Sequence, residues 1–261
     1  MYGQLTVAVV IPAFNEEPFI RKTVETLPTF VDHVILVDDA SEDQTTERAL
    51  GAHDPRLHVV RHARNRGVGA AIASGYRLAL ALGADAAVVV AGDGQMDPSE
   101  MDRLLEPIAS GEADYVKGDR LAHPDVRRRM PAARYVANRL LSWATRHAVG
   151  KPDLRDSQCG YTAASRALLQ SLPLYALWPR YGYPNDLLSL LHVHGWRVTD
   201  RQVTPIYGDE KSGIRVWSVV PSLTFVLARA WVRRFASTPQ SPVVGLALRR
   251  TDTDAGSVPC S

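Results

Sequence analysis

The sequence predicts an α/β fold, in which a parallel sheet is covered by helices on both faces. Strand-like and helix-like segments alternate through the first half of the chain, which is the pattern of such sheets. The segment 86–90 is apolar at every position, as expected for a strand buried on both sides. Each of the first four predicted strands leads into a polar segment, and open parallel sheets bind their ligands at that edge.

Local signals place the elements in order along the chain. Pro18 suits the first turn of the first helix, Glu100 and Asp102 give the fourth an acidic first turn, and the apolar residues of the third recur at a helical period. Strands are expected at 5–11, 31–37, 57–61, 86–90, 115–118 and 197–203. Helices are expected at 18–27, 44–50, 67–82, 98–108, 134–149, 165–172 and 185–193.

The chain divides into one α/β domain and two C-terminal segments. The domain is expected to span residues 1–215. Residues 216–235 combine apolar and arginine positions in the pattern of an amphipathic helix, with Pro221 near its start. Such a helix packs either on its own domain or on an anionic membrane surface. Residues 236–261 are rich in Ser, Thr, Pro and Gly and are expected to be disordered.

Composition narrows the possible functions. The 261 residues carry a formal net charge of only +2, which argues against nucleic acid as a partner. The cysteines, Cys159 and Cys260, form no CxxC pair or Cys/His cluster, so neither a disulfide framework nor a zinc site is expected. We find no signal peptide and no apolar run near the roughly 20 residues of a membrane span. A cytoplasmic protein is expected, either soluble or peripheral at the inner face of the membrane.

Four polar segments that follow the first four strands form the candidate site. They are Pro12-Ala13-Phe14-Asn15-Glu16-Glu17, Asp38-Asp39-Ala40-Ser41-Glu42-Asp43, Asn65-Arg66-Gly67-Val68-Gly69 and Gly92-Asp93-Gly94-Gln95-Met96-Asp97-Pro98. Each one alone is typical of turns and helix caps, but their convergence on one sheet edge favours a binding site. A dinucleotide-binding fingerprint is rejected because Ile72 replaces its third glycine, and no GxxxxGK[ST] phosphate loop occurs.

The ordered succession VVIPAFNEE, VDDASEDQT, ARNRGVGAAIASG and AGDGQMDP resembles family 2 glycosyltransferases with the GT-A fold. The later segments DSQCGYTA, RYGYPNDLL and YGDEKSGIR resemble the branch of dolichyl-phosphate mannosyltransferases and polyprenyl-phosphate glycosyltransferases. The resemblance covers roughly residues 5–215. It implies a Rossmann-like, mixed and mostly parallel sheet. It also implies inverting transfer of a hexose from a nucleoside-diphosphate sugar to a polyprenyl phosphate.

The resemblance also implies which residues bind the donor. Those assigned to the base, ribose and diphosphate are Pro12, Phe14, Glu16, Asp38, Asp39, Asn65, Arg66 and Gly67. Asp93 and Gln95 resemble the motif that holds Mg²⁺ or Mn²⁺ on the diphosphate, so Asp93 is also expected to be catalytic. The family commonly has two acids there, but Ala91 stands at the first position. Metal affinity without substrate is therefore expected to be weak.

The second half of the chain is expected to bind the acceptor. Arg120 and Arg134 resemble phosphate-binding arginines of the lipid-phosphate branch, and Lys211 is assigned to the same substrate-binding set. An ionised phosphate acceptor needs no general base, whereas a hydroxyl acceptor does. Asp156 and Asp186 are the candidates for that base, and Asp186 is equally interpretable as a helix cap.

Two other functions remain open from the sequence. One is a glycosyltransferase with a soluble hydroxyl acceptor, since many bacterial relatives carry transmembrane helices after this point and this sequence has no such run. The other is a non-catalytic homologue that binds nucleotide sugars, which the loss of an acid at Ala91 would allow.

Overall fold

Within the described residues, seven strands form one mixed sheet. The computed structural model describes residues 1–207 and 216–236, with the backbone alone for 216–219. The strands are β1 Val7–Ala13, β2 His33–Asp38, β3 Leu57–Arg61, β4 Ala86–Val89, β5 Tyr115–Asp119, β6 Thr162–Ser165 and β7 Val198–Gln202. Their order across the sheet is β3-β2-β1-β4-β6-β5-β7.

Helices connect the strands and pack on the sheet. They are α1 Ile20–Glu25, α2 Thr45–Leu50, α3 Val68–Ala81, α4 Met101–Ala109, α5 Val126–Arg129, α6 Ala132–Val149, α7 Arg166–Ser171, α8 Tyr183–Val193 and α9 Val216–Ala236. Short 3₁₀ turns lie at Pro98–Glu100 and Leu174–Ala176. The segment 237–261, most of the predicted disordered tail, lies outside the described residues.

The predicted α/β architecture is confirmed. Strands β1, β2, β3 and β4 pair in parallel, as do β5 and β7. The mixed character comes from β6, which pairs antiparallel with both β4 and β5. Strand β6 was not predicted, because its four small residues directly before α7 carry no apolar run from which a strand is recognised.

Two apolar layers cover the two faces of the sheet. Because side chains alternate along a strand, Ala8 and Val10 of β1 pack with α3 and α8, while Val7, Val9 and Ile11 pack with α1 and α4. All five are fully buried. Burial on both faces explains why β1, β4 and the middle of β2 are continuously apolar.

Glycine allows α3 to approach β1 closely. A Cβ at Gly75 would collide with both methyl groups of Val10, so only glycine fits at this contact. Gly67, just before α3, has φ +94, a conformation that other residues rarely adopt. The amino terminus of α3 is thereby held against the edge of the sheet where β1 and β2 end.

Among the described residues, no helix is long and apolar enough to cross a membrane.

Candidate active site

The loops after β1 and β2 are joined into one surface. The backbone N–H of Asn15 donates to Ser41 Oγ at 3.0 Å, and that of Glu16 donates to Thr45 Oγ1 at 2.8 Å. The Asn15 side chain accepts from the Glu42 N–H at 2.9 Å, and its φ is +58. Asparagine tolerates this left-handed conformation better than most residues. The convergence predicted for these two polar segments is therefore present.

Of the residues assigned to the donor on β1 and its loop, Pro12 lies in β1, half-buried, opposite Val37. Phe14 is 44% exposed, although it is a large apolar side chain. Glu16 is half-buried, and its Cγ lies next to Gly92, which brings the β1 loop against the β4 loop. An exposed aromatic ring beside polar loops provides a surface on which a planar base stacks.

Asp38 supports the β2 loop from within. Its carboxylate is fully buried and accepts from the Ser41 N–H at 2.8 Å and from Thr46 Oγ1 at 2.7 Å. Burial alone would raise the pKa of Asp38, but hydrogen bonds from Ser41 and Thr46 and the charge of Arg61 outweigh it and lower the pKa. The structure therefore gives Asp38 an architectural role. Its assignment to the substrate stays a prediction.

Asp39 connects the β2 loop to the amino terminus of α3. It is 3% exposed, and its Oδ1 accepts from the Arg66 N–H at 2.9 Å while Oδ2 accepts from the Gly67 N–H at 2.6 Å. His62 Nδ1 lies 2.6 Å from the same Oδ1. The half-buried Asn65 and the exposed Arg66 precede α3, whose positive dipole end favours a bound anion.

The segment 178–182 packs against the loop that precedes α3. Ala70 N–H donates to the Pro179 carbonyl at 3.0 Å, and a Cβ at Gly67 would lie 2.5 Å from the same oxygen. On its other side the segment touches α9, because the rings of Trp178 and Phe225 are 5.3 Å apart. The C-terminal helix therefore supports the donor loop indirectly.

The loop after β4 carries Asp93 and Gln95 and contacts α1. Asp93 Oδ1 accepts from the Gln95 N–H at 2.9 Å, and Thr23 Oγ1 donates to the Gly92 carbonyl at 3.3 Å. No group of three or more His, Cys, Asp or Glu side chains among the described residues could hold a metal ion. One carboxylate and one amide carbonyl still suit Mg²⁺ or Mn²⁺, which prefer oxygen ligands and keep waters and phosphate oxygens.

A second cluster lies around Arg120 at the end of β5. Its Nε is 2.8 Å from Asp156 Oδ2 and its Nη2 is 3.0 Å from Oδ1, a bidentate ion pair. Asp156 is fully buried. Burial alone would raise the pKa of Asp156, but the charge and hydrogen bonds of Arg120 outweigh it and hold the pKa below its usual range. This predicted base is therefore ion-paired.

Tyr207 brings the two predicted phosphate-binding arginines together. Arg120 Nη1 lies 3.4 Å from the Tyr207 hydroxyl, and the Arg134 guanidinium carbon lies 4.9 Å from the centre of the Tyr207 ring. Burial raises the pKa of Tyr207, although both arginines oppose the shift. Tyr207 begins the segment that contains Lys211, and it was not among the predicted site residues. Lys211 itself lies outside the described residues.

Asp186 forms a buried ion pair with the C-terminal helix. Its Oδ1 is 2.5 Å from Arg233 Nη1 and 3.6 Å from Arg229 Nε, and its Oδ2 accepts from the Trp178 N–H at 2.9 Å. Asp186 is fully buried. It lies in the first turn of α8, but it holds neighbouring segments rather than capping its own helix. The proposal that Asp186 is a general base stays a prediction, without support from this geometry.

Residues 8–172 match the model of glycosyl transferase family 2, and the chain belongs to that family. The family match identifies the protein as a glycosyltransferase that uses a nucleotide-sugar donor.

Two curated relatives are similar over most of the chain. The UDP-N-acetylglucosamine–dolichyl-phosphate N-acetylglucosaminyltransferase of Methanococcus voltae is 30% identical over 76% of this chain and 84% of its own length. The undecaprenyl-phosphate mannosyltransferase of Micrococcus luteus is 30% identical over 87% of this chain and 96% of its own length.

Solved structures share the fold. The glucosyl-3-phosphoglycerate synthase of Mycobacterium tuberculosis, in complex with phosphoglyceric acid, superposes with a TM-score of 0.69 at 22% identity, over 88% of this chain and 81% of that chain. The same enzyme with Mn²⁺, UDP-glucose and phosphoglyceric acid gives a TM-score of 0.66 at 24% identity, over 88% of this chain and 80% of that one. At this level of identity the likeness establishes the GT-A fold.

Proposed function

We propose that this protein transfers a hexose, with inversion, from a nucleoside-diphosphate sugar to a polyprenyl phosphate at the membrane surface. We choose this acceptor because both candidate bases are held in ion pairs. Asp156 is paired with Arg120 and Asp186 with Arg233, and both carboxylates are fully buried. An acceptor that is already ionised needs neither of them as a base.

Arg120 and Arg134 supply the charge that such an acceptor requires. Asp156 occupies Nε and one edge of Nη2 of Arg120, which leaves other guanidinium hydrogens to bind phosphate oxygens. Tyr207 accepts from Arg120, and its raised pKa keeps the hydroxyl protonated, so it can donate to the same phosphate. Arg134 lies in the first turn of α6, where the helix dipole favours an anion.

An apolar surface extends from this cluster along α6. Val136, Leu140 and Trp143 lie at spacings of four and three, so they form one stripe, and each is more than half exposed. The stripe lines a cavity of about 570 Å³ that also includes Leu121, next to Arg120. An isoprenoid chain attached to a phosphate at Arg120 would find apolar contacts there.

Helix α9 offers a second apolar surface for membrane contact. Its exposed large side chains are Val220, Phe225, Trp231, Val232 and Phe235. Because α6 and α9 pack together, through Ala148, Val149, Leu227 and Ala230 among others, the two exposed surfaces belong to neighbouring helices. Exposed Trp and Phe side chains on such a pair are typical of interfacial helices that bind membranes reversibly.

The nucleotide-sugar donor is assigned to the loops that follow β1, β2 and β4 and to the loop before α3. Phe14 would stack on the base, Asp39 would accept a base N–H, and Asp93 with Gln95 would hold the divalent cation. When bound, that cation neutralises the charge that develops on the departing nucleoside diphosphate. The protein orients the two substrates, so acceleration comes from positioning and electrostatic stabilisation rather than from a covalent intermediate.

A donor and acceptor screen tests this function. The purified chain is incubated with Mg²⁺ or Mn²⁺, a short-chain polyprenyl phosphate in detergent, and UDP-, GDP- or dTDP-hexoses in separate reactions. We expect one donor class to yield a glycosylated lipid phosphate together with free nucleoside diphosphate. Transfer to soluble hydroxyl acceptors without any to the lipid phosphate would favour the soluble-acceptor alternative. Absence of product and of nucleotide binding would contradict the donor assignment as well.

A further inference from the structure

A chain of hydrogen bonds lies beneath the donor loops and ends at Asp39. Arg77 Nη2 is 2.9 Å from Ser74 Oγ, Ser74 Oγ is 3.0 Å from His62 Nε2, and His62 Nδ1 is 2.6 Å from Asp39 Oδ1. Asp39, His62 and Ser74 are all at least nine-tenths buried. They come from three different elements, the ends of β2 and β3 and the middle of α3.

Hydrogen-bond chemistry fixes the roles of the two ends of this chain. Asp39 already receives two backbone N–H groups and acts as an acceptor, so His62 Nδ1 must carry a proton. Arg77 can only donate, so Ser74 Oγ accepts from it and uses its remaining hydrogen-bonding capacity at His62 Nε2. Ser74 is buried and its hydroxyl is engaged, so the Asp–His–Ser order here does not form a hydrolytic triad.

The hydrogen bonds of Asp39 leave one acceptor position of its carboxylate without a partner among the described residues. A carboxylate has about four acceptor positions. Among the described residues, Oδ1 accepts from His62 and from the Arg66 N–H, whereas Oδ2 accepts from the Gly67 N–H. One position at Oδ2 is therefore left. His62 provides the side-chain contact that, together with the Arg66 and Gly67 N–H groups, holds the carboxylate and orients that remaining position.

We propose that His62 is a positioning residue that sets the base selectivity of the donor site by holding Asp39. This inference rests on the proposed function, which assigns Asp39 to the donor base. An aligned carboxylate oxygen accepts from a ring N–H, which uracil, thymine and guanine carry. It repels the ring nitrogen of cytosine or adenine, which is itself an acceptor. His62 acts through Asp39 and does not touch the donor.

Two substitutions at His62 separate positioning from packing. His62→Leu keeps the volume of the side chain but removes the N–H that forms a hydrogen bond with Asp39. In His62→Asn, the side-chain amide N–H can replace Nδ1–H. Calorimetry measures the affinity of each variant for UDP and CDP, and for GDP and ADP, in Mg²⁺. His58→Leu is the matched control, since His58 lies in β3 and faces the His33 ring, 5.5 Å away, instead of Asp39.

Within one of these pairs of nucleotides, we expect the wild type to bind the member whose base carries a ring N–H more tightly than the other. His62→Leu should lose about tenfold or more of that affinity, with little change for the other member, so the selectivity ratio collapses. His62→Asn and His58→Leu should keep most of the ratio. Ser74→Ala removes only the hydrogen bonds beyond His62 and should lower the selectivity ratio less than His62→Leu does. It replaces His62→Leu in this test if that variant does not fold.

Several results would overturn the inference. A His62→Leu protein that is folded and discriminates as the wild type does would overturn it alone, as would an equal loss of affinity for both bases. If His62→Leu does not fold, an unchanged ratio in Ser74→Ala has the same effect. A wild type that binds no nucleoside diphosphate overturns the proposed function, and this inference falls with it.

Discussion

Arg120 donates two parallel hydrogen bonds to Asp156, from Nε at 2.8 Å and from Nη2 at 3.0 Å. Asp156 is fully buried and Arg120 is 18% exposed, so one side of the guanidinium is held inside the protein while another reaches Tyr207. The pair explains how a charged group is kept rigid at the end of β5. It also explains why Asp156 is a poor proton acceptor.

Asp156 should contribute stability that is lost in acid. Its pKa in the folded protein is lowered from 3.8, so the contribution is complete above about pH 4 and is lost as the pH falls through the folded pKa. Asp156→Asn should flatten the dependence of Tm on pH below about pH 4, as thermal unfolding from about pH 3 to pH 7 would measure. The exposed Glu106→Gln variant is the control, with the wild-type profile expected. A wild-type profile for Asp156→Asn would contradict the assignment.

Arg134→Ala should impair transfer and leave the donor site intact. Removing a charged hydrogen bond to phosphate should lower kcat/KM for the lipid phosphate by about tenfold or more. Nucleoside diphosphate affinity, measured by calorimetry, should stay at the wild-type value because Arg134 contacts Tyr207 and not the donor loops. Arg128→Ala, an exposed arginine of α5, should behave as the wild type. An equal loss of kcat/KM in Arg128→Ala would show that the effect comes from the change of net charge and not from phosphate binding by Arg134.

Chelation of divalent cations should abolish transfer. Asp93→Ala should cost more than Gln95→Ala, since a carboxylate binds a hard cation more strongly than an amide carbonyl does. Ala91→Asp should tighten metal binding in the absence of donor, by supplying the acid that the metal motif otherwise has. Asp102→Asn, at an exposed position in the first turn of α4, is the control and should behave as the wild type. Full activity in excess chelator would remove Asp93 from this role.

The Asp186–Arg233 ion pair should be important for stability rather than for catalysis. Arg233→Met leaves the fully buried Asp186 without its closest cation and should cost about 3 kcal/mol of unfolding free energy. The double variant Asp186→Asn, Arg233→Met should recover part of this loss. Denaturant unfolding of Arg233→Met, Asp186→Asn and the double variant would measure the recovery. Transfer to lipid phosphate by folded Asp186→Asn should persist. A folded Asp186→Asn protein that has lost that transfer would restore Asp186 as a base.

The sequence predicted the sheet well because burial on both faces imposes a strong local pattern. Apolar runs identified β1, β2 and β4, and the polar residues that follow β1 and β2 do meet at one edge. The ion pairs of Asp156 and Asp186 could not be predicted, since their partners lie 36 and 47 positions away and no local pattern links them. Tyr207 was missed for the same reason, because its meaning depends on two arginines from other elements.

The most direct test of the phosphate-acceptor proposal compares a polyprenyl phosphate with the polyprenol of the same chain length. Both are presented in the same detergent with the preferred donor and Mg²⁺, and initial rates of glycosyl transfer are measured by mass spectrometry of the lipid. The proposal predicts rapid transfer to the phosphate and little to the alcohol, because the described site supplies arginines but no unpaired base at Asp156 or Asp186. Comparable or faster transfer to the polyprenol would contradict it.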